Sequence, residues 1–281
     1  MGATIDTSGN RIAARFAHLK KHKRAGLVTF IMANDPTPGT FMDILEGLPS
    51  VGADIIEIGV PFSDPMADGP SIQAAGQRAL KHNTSLRDVL AAVTAFRRNE
   101  IDTPIILMGY YNPIYRYGAQ EFAQDAAAGV DGVIVVDLPP EESEELHVHL
   151  RANDIHMIFL TAPTSSDARL PDILRRASGF IYHVAITGIT GTASASEEVV
   201  KAATARLRRH TDLPLAVGFG IKTPEQAKAI AAHCDAAVVG SAIVDVIGKG
   251  VNVEGKIDPG LTTKVLEFVK SLAVGVHGTW P

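Results

Sequence analysis

Glu57 is the residue of this chain whose position most clearly calls for a chemical role. It lies within residues 54–60, a short apolar run in which successive side chains of a strand would point to opposite faces. Ile56, Ile58 and Val60 then share one aliphatic face, which must lie against helices. The spacing therefore predicts that the Glu57 carboxyl group points the other way, into the protein interior.

A carboxyl group in such a place has a perturbed acidity. Burial of an unpaired carboxylate costs on the order of several kcal/mol, so the surroundings raise the pKa toward neutrality. A group with that pKa can both give and accept protons near pH 7. The structural alternative is a glutamate held by a buried Arg or Lys, but none of the strands predicted below carries either residue. We therefore favour an acid–base role for Glu57.

Two more acids follow this strand in residues 61–70, a segment that also contains three prolines. Asp68 stands beside Gly69 and can reach back over the end of the strand, so we predict a catalytic role for it. Asp64 lies between Ser63 and Pro65 and is more typical of a turn residue that bonds its own backbone.

Glycines at the ends of two later strands predict an anion site. Gly218, Phe219 and Gly220 end one strand, and Gly240 and Ser241 end the next. Glycine lets backbone N–H groups approach an anion, and the dipole of a helix that begins there favours negative charge. Plain turns are the alternative, but these two strand ends recurrently bind phosphate in α/β barrels.

Residues 187–196 combine glycine with small hydroxyl residues and follow the sixth predicted strand. This composition predicts a mobile loop, which we interpret as an active-site lid rather than a plain linker.

These residues are carried by eight alternations of apolar strand and amphipathic helix. The predicted strands cover residues 27–32, 54–60, 105–110, 132–137, 156–160, 180–186, 215–219 and 237–240. The predicted helices include 41–48, 86–98, 142–152, 197–210 and 224–232, with a leading helix at 12–20 and a closing one at 263–273. The pattern predicts an α/β fold, a single (β/α)8 TIM barrel with an extra N-terminal helix. An open doubly wound sheet would normally show a G-x-G-x-x-G turn, which is missing.

Two corners between helix and strand support this interpretation. Gly52-Ala53-Asp54 and Gly129-Val130-Asp131 both precede a strand, and we expect each glycine to adopt the left-handed conformation that ends a helix. Nothing in the composition divides the chain, so we expect residues 1–281 to form one domain.

The composition excludes several classes of protein. A net charge of −5 argues against a nucleic-acid binder, and the apolar runs are too short to span a membrane. The single cysteine, Cys234, cannot form a disulfide within the chain and suits the cytoplasm. No strand carries a lysine for a Schiff base, and no cluster of metal ligands is apparent. The chemistry predicted is proton transfer by carboxylates on a substrate that supplies its own electron sink.

Residues 52–70, with the sequence GADIIEIGVPFSDPMADGP, closely resemble the signature of the tryptophan synthase α-subunit family. The resemblance also covers residues 30–36, 108–112, 137–139, 190–191, 218–220 and 240–241, in order along nearly the whole chain. It implies a retro-aldol cleavage of indole-3-glycerol phosphate to indole and glyceraldehyde 3-phosphate.

The resemblance also implies a role for each matching residue. It makes Glu57 the proton shuttle at indole C3 and the glycerol hydroxyl, and Asp68 the acceptor of the indole N–H. The phosphate would be held by Gly191, Gly220, Gly240 and Ser241, with Thr190 beside them in the lid. The wall of the substrate site would be formed by Phe30, Met108, Tyr110, Tyr182 and Phe219. Asp64 and Asp137 would lie near a partner interface.

That partner would be a β-subunit in an αββα heterotetramer. The β-subunit would hold pyridoxal phosphate and condense the indole with serine, while the α chain would bind no cofactor or metal. We expect weak activity from the α chain alone and strong activation in the complex.

Two departures from the family pattern concern loops. Asn34 stands where glycine is usual, so we expect the first loop to be stiffer or differently shaped. Ala185-Ile186-Thr187 replaces a Ser-Arg-Ser run of some members, so no role of that arginine in closing the lid is carried over.

Other functions remain as alternatives. A stand-alone lyase of the same family would release its indole, and another phosphate-binding barrel, such as a sugar-phosphate epimerase or indole-glycerol-phosphate synthase, would use metal or lysines. A catalytically dead barrel that only activates the β-subunit would not need both Glu57 and Asp68.

Overall fold

The strands of a computed structural model lie side by side in one parallel sheet. The structure describes residues 10–185, 197–218 and 220–278. The strands are Gly26–Met32 (β1), Ile55–Gly59 (β2), Ile105–Gly109 (β3), Gly132–Val135 (β4), His156–Met157 (β5), Leu160–Thr161 (β6), Ile181–Val184 (β7), Leu215–Gly218 (β8) and Ala236–Val239 (β9). Their order in the sheet is β5-β4-β3-β2-β1-β9-β8-β7-β6.

The two outer strands of this order are consecutive in the chain, and they close the sheet into a barrel. β5 pairs with β4 on one side and β6 pairs with β7 on the other. Between them, the Ile158 N–H donates to the Val133 carbonyl, and the Phe159 carbonyl accepts from the Tyr182 N–H. The fifth strand, predicted as one continuous element, is thus divided into two short ones that face different neighbours. The (β/α)8 barrel is confirmed.

Twelve α-helices lie within the described ranges. They are Arg11–Lys21 (α1), Pro38–Gly47 (α2), Pro70–Leu80 (α3), Leu86–Phe96 (α4), Tyr111–Tyr117 (α5), Ala119–Ala126 (α6), Glu144–Ala152 (α7), Leu170–Arg176 (α8), Glu197–Leu207 (α9), Pro224–Ala231 (α10), Ser241–Lys249 (α11) and Leu261–His277 (α12). None is long and apolar enough to cross a membrane.

Local sequence explains where several helices begin. The Ser85 side chain accepts from the Asp88 N–H while the Asp88 carboxylate accepts from the Ser85 N–H, a capping box at the start of α4. The Thr223 hydroxyl accepts from the Gln226 N–H, and Pro224 occupies the first turn of α10.

The apolar core has two shells. The outer shell lies between strands and helices and contains Ile56 and Ile58. The inner shell fills the barrel and contains Val28 and Ile55 together with Ile12, Phe16 and Leu19 of α1. The extra N-terminal helix therefore closes the bottom of the barrel, and the opposite end is left for a site.

The two glycine corners differ from each other. Gly52 has a φ of 101° and takes the left-handed conformation that we expected. The same expectation for Gly129 is wrong, since its φ is not positive. There a Cβ would come 2.7 Å from Arg97 Cγ and 2.9 Å from Val93 Cγ1, so glycine is needed for close packing.

Candidate active site

One cavity of about 250 Å³ opens among the carboxyl ends of the strands. It is lined by seven of the residues that the sequence singles out for a substrate site, in addition to the two acids: Phe30, Met108, Tyr110, Tyr182, Gly220, Gly240 and Ser241. Glu57 and Asp68 line the same cavity. Residues that are far apart in the sequence are thus brought together at the end of the barrel where such enzymes carry their active sites.

Glu57 lies on the cavity wall in the middle of β2. It pairs in register with Phe30 of β1 and with Ile106 of β3, so apolar neighbours flank it on both sides. Its exposed fraction is 0%. Neither carboxylate oxygen has a hydrogen-bond partner among the described residues. Because nothing there compensates the loss of water, burial raises the pKa of Glu57 from 4.5 to about 8.

Tyr182 of β7 shares the cavity with Glu57. Burial, followed by the nearby charge of Glu57, raises the pKa of the Tyr182 phenol. Its ring lies against Gly218, where a Cβ would come 2.7 Å from the phenolic oxygen. A side chain at residue 218 would therefore displace Tyr182 from the cavity wall.

Asp68 reaches the cavity from the loop between β2 and α3. Its backbone carbonyl accepts from Gln73 Nε2, which ties the loop to the first turn of α3. Partial burial raises the pKa of Asp68 to about 6, although a hydrogen bond with Tyr110 favours the ionised form. Tyr110 steadies the same loop, because its phenolic oxygen accepts from the Ala67 N–H at 2.9 Å and its ring lies 5.3 Å from that of Phe62.

Asp64 and Asp137 lie outside the cavity, each in a local hydrogen bond. Asp64 is exposed and accepts from the neighbouring Ser63 hydroxyl, as expected of a turn residue. Asp137 accepts from the Tyr111 N–H at 2.8 Å and so caps the start of α5. On the same end of the barrel, Met66, two residues beyond Asp64, is 79% exposed.

The opposite side of the cavity is built from glycine and from a helix N-terminus. Gly220 has a φ of 65°, a conformation in which a side chain would be strained. Gly240 precedes Ser241, the first residue of α11, and a Cβ at residue 240 would come 3.2 Å from Phe30 Cβ. This side therefore offers close backbone approach and the positive end of a helix dipole, as a phosphate requires.

Some predicted residues lie outside the described ranges. These are Thr190, Gly191 and Phe219, together with Ile186 and the remainder of the expected lid at residues 187–196.

Sequence reasoning missed several lining residues. Met32, Leu160 and Val184 face the cavity. Phe30 and Tyr182 were assigned by the family resemblance, and strand alternation starting from them could have found Met32 and Val184. Lys222 also lines it, on an exposed loop two residues beyond Gly220. No periodic pattern marks a loop lysine, although its place next to the predicted phosphate site could have drawn attention to it.

The first loop accommodates its unusual asparagine. Asn34 has a φ of 60°, a left-handed conformation that asparagine tolerates better than most residues. Its amide donates to Thr84 Oγ1 at 3.1 Å. Next to it, the Asp35 carboxylate accepts two hydrogen bonds from the Arg78 guanidinium of α3. Asn34 thus adopts a backbone conformation that glycine would take, and hydrogen bonds anchor the loop.

Within the described ranges, no group of three or more His, Cys, Asp or Glu side chains could hold a metal ion.

Comparison with known proteins gives a consistent result along the chain. The family model described as tryptophan synthase alpha chain matches residues 16–273. The structure of tryptophan synthase subunit alpha from Legionella pneumophila is 38% identical, with a TM-score of 0.87 over 96% of this chain and 99% of that one. A protein from Aquifex aeolicus is 36% identical, with a TM-score of 0.86 over 96% and 100%. Tryptophan synthase from Mycobacterium tuberculosis is 33% identical, with a TM-score of 0.85 over 96% and 99%.

Proposed function

This chain belongs to the tryptophan synthase alpha chain family, and from that premise we propose that Glu57 and Asp68 carry out the family's cleavage of indole-3-glycerol phosphate. The observation that carries the proposal is the buried Glu57 carboxyl group, which lines the cavity without a hydrogen-bond partner among the described residues.

Glu57 supplies and recovers the proton. With a pKa of about 8 it is mostly protonated at pH 7 and can donate to indole C3. The resulting carboxylate then takes the proton of the glycerol hydroxyl as the bond from indole C3 to the glycerol carbon breaks. The electron pair of that bond flows into the indolenine ring, and the hydroxyl carbon becomes an aldehyde. Glu57 ends the cycle protonated, so one group performs both transfers.

Asp68 has the complementary task. Its pKa of about 6 leaves it mostly ionised at pH 7, when it can accept the indole N–H and stabilise the positive charge on that ring after C3 is protonated. The surroundings thus keep one carboxyl group neutral and the other charged, a division of roles that acid–base enzymes commonly use.

The phosphate is held on the other side of the cavity. Gly220, Gly240 and Ser241 are suited to present backbone N–H groups to it, with the N-terminus of α11 behind them. Gly191 and Thr190 complete this group in the family pattern. Phe30, Met108, Tyr110 and Tyr182 form the apolar wall for the indole, and the family pattern adds Phe219 to this group.

The α chains of this family pair with β-subunits, which carry the pyridoxal phosphate and use the indole. We propose that the interface includes Asp64 and Asp137, because both are exposed outside the cavity on the end of the barrel where it opens, which also carries the exposed Met66. We also propose that the chain works in the cytoplasm, which its single buried and unpaired cysteine suits.

The proposal is tested by incubating the chain with indole-3-glycerol phosphate and measuring glyceraldehyde 3-phosphate, with and without a β-subunit. We expect product in both cases and faster release in the complex. A chain that releases no product even in the complex would refute the function.

A further inference from the structure

We propose that Lys222 binds the phosphate of the substrate and thereby fixes which end of the substrate enters which side of the cavity. This inference rests on the proposed function and goes beyond it, because it assigns a charged side chain to a phosphate site otherwise made of backbone groups.

The charges that line the cavity are few. Among the described residues, Glu57 and Asp68 are the acidic side chains that line it and Lys222 is the basic one. The residues outside the described ranges, 1–9, 186–196, 219 and 279–281, contain no Lys, Arg or His. The segment 186–196 therefore cannot bring a cation of its own, and Lys222 is the basic side chain that this chain offers to a dianionic phosphate there.

Hydrogen bonds hold the backbone of Lys222 in place, while its side chain is free to bind an anion. The Lys222 N–H donates to Gln226 Oε1 at 2.8 Å, and the Gln226 N–H donates to Thr223 Oγ1, so the residue is anchored at the start of α10. Its side chain forms no ion pair or hydrogen bond with any residue in the described part of the chain. An exposed ammonium group on a flexible stem can turn toward an anion in the cavity mouth.

The position of Lys222 relative to the acids gives the site a direction. It follows β8, and Glu57 lies on β2; in the sheet order β2-β1-β9-β8 these strands are separated by three strand spacings. At about 4.8 Å for each spacing, the distance along the wall is roughly 14 Å. The phosphate is attracted to the lysine side and repelled by the ionised Asp68, so the indole is directed to the acids.

The test compares Lys222→Gln with the wild type, each in the complex with a β-subunit. We expect KM for indole-3-glycerol phosphate to rise about two- to fivefold with kcat within about twofold, because an ion pair at an exposed rim contributes to binding alone. Lys222→Arg should retain a KM near that of the wild type. Lys228→Gln removes the same charge from the exposed face of α10, away from the cavity, and should change neither constant.

The dependence of kcat/KM on ionic strength distinguishes the loss of a charge in Lys222→Gln from a loss of structure. Added salt should lower kcat/KM in the wild type, and the slope should be smaller in Lys222→Gln, since the screened attraction is gone. A misfolded variant would lose activity at every salt concentration and would instead show a lowered melting temperature.

Calorimetric titration of the full chain with inorganic phosphate keeps this inference separate from the proposed function. We expect the Kd for phosphate to rise in Lys222→Gln by a factor similar to that in KM. An unchanged KM together with an unchanged phosphate Kd would overturn the role of Lys222 while the cleavage reaction stands. A wild-type chain that binds phosphate through Lys222 but releases no glyceraldehyde 3-phosphate would refute the proposed function and leave the lysine assignment intact.

Discussion

Glu57 and Asp68 are chemically similar groups whose acidities are separated by their surroundings. Glu57 is enclosed by the apolar wall and has no partner among the described residues, while Asp68 is half-buried beside a tyrosine hydroxyl. Their pKa values of about 8 and about 6 bracket neutral pH. The cavity therefore holds an acid and a base at the same time, without a metal ligand or a strand lysine among the groups we assign to the reaction.

The pH dependence of cleavage follows from these two groups. The proposed roles require ionised Asp68, which is lost as the pH falls through about 6, and protonated Glu57, which is lost as the pH rises through about 8. We expect a bell-shaped profile of kcat/KM between these values. In Asp68→Asn the remaining activity should no longer show the fall of kcat/KM at acidic pH, because the carboxylate that is protonated there has been removed. An acidic limb unchanged in that variant would assign it to the substrate phosphate instead.

The raised pKa of Glu57 also means that this residue destabilises the folded protein as the pH rises. Its folded pKa of about 8 exceeds the value of 4.5 expected in the unfolded chain, so unfolding becomes more favourable as the pH rises between these values. At about 1.4 kcal/mol per pKa unit, we expect Glu57→Gln to gain roughly 3–4 kcal/mol relative to wild type between pH 5 and pH 8. Urea unfolding at the two pH values measures the difference. An equal effect of the substitution at both would show that Glu57 is not buried as described.

At the scale of the elements, one kind of hydrogen bond between a side chain and the backbone recurs at the bottom of the barrel. Asp54, Asp131 and Asp235 each directly precede a strand: β2, β4 and β9. Each carboxylate accepts the N–H of the first or second residue of the preceding strand: Leu27, Ile105 and Leu215. A related bond precedes β7, where the Ser178 hydroxyl accepts from the N–H of Met157, the last residue of β5. The three carboxylate hydrogen bonds thus join consecutive strands in pairs, and the one from Leu27 supports the register in which Glu57 lies opposite Phe30.

Substitution of Asp131 tests how much these hydrogen bonds contribute to stability. It also pairs with Arg97 at 2.8 Å and Arg11 at 3.0 Å, and the side chains of Asp131 and Arg97 are only 2% and 7% exposed. We expect Asp131→Ala to lower the free energy of unfolding by about 3 kcal/mol, because it leaves a buried cation and a strand N–H unpaired. Ser178→Ala, which removes a neutral hydrogen bond, should cost about 1 kcal/mol. Both substituted residues lie at the end opposite the cavity, so kcat should stay near that of the wild type in each variant. Equal losses of stability in the two variants would refute the greater contribution of the Asp131 contacts.

What could be predicted from the sequence depends on how local the signal is. The inward direction of Glu57 follows from alternation within one strand, and the meeting of Asp68, Gly220 and Gly240 follows from the barrel. Helix α3 was not predicted, because Ala75, Gly76 and Ala79 give its buried face little apolar contrast. The division of the fifth strand and the tight packing at Gly129 depend on neighbours distant in sequence, which no local pattern reveals.

At the scale of the whole molecule, both ends of the described chain are tied to the barrel. Helix α1 fills its bottom, and His277 near the end of α12 bonds the Asp54 carboxylate at 2.9 Å. We propose on this basis that residues 1–281 form one domain. The rim at the other end carries both the loop of Asp68 and the exposed Met66, so a partner that covers Met66 would also hold that loop.

Activation by the β-subunit follows from this arrangement. We expect kcat for indole release to rise at least about tenfold in the complex, because docking orders the loop after β2 around Asp68. Met66→Ser should weaken the activation at a given β-subunit concentration, while the rate of the chain alone stays unchanged. Comparable kcat with and without the β-subunit would contradict this account.

The central claim is that the Glu57 carboxyl group moves the proton that cleaves indole-3-glycerol phosphate. The rate of glyceraldehyde 3-phosphate release by Glu57→Gln, saturated with substrate and in the complex, tests it most directly, with Glu46→Gln on the exposed face of α2 as the control. We predict a loss of about 100- to 10,000-fold for Glu57→Gln and none for the control. Release by Glu57→Gln at the rate of the wild type would contradict the claim.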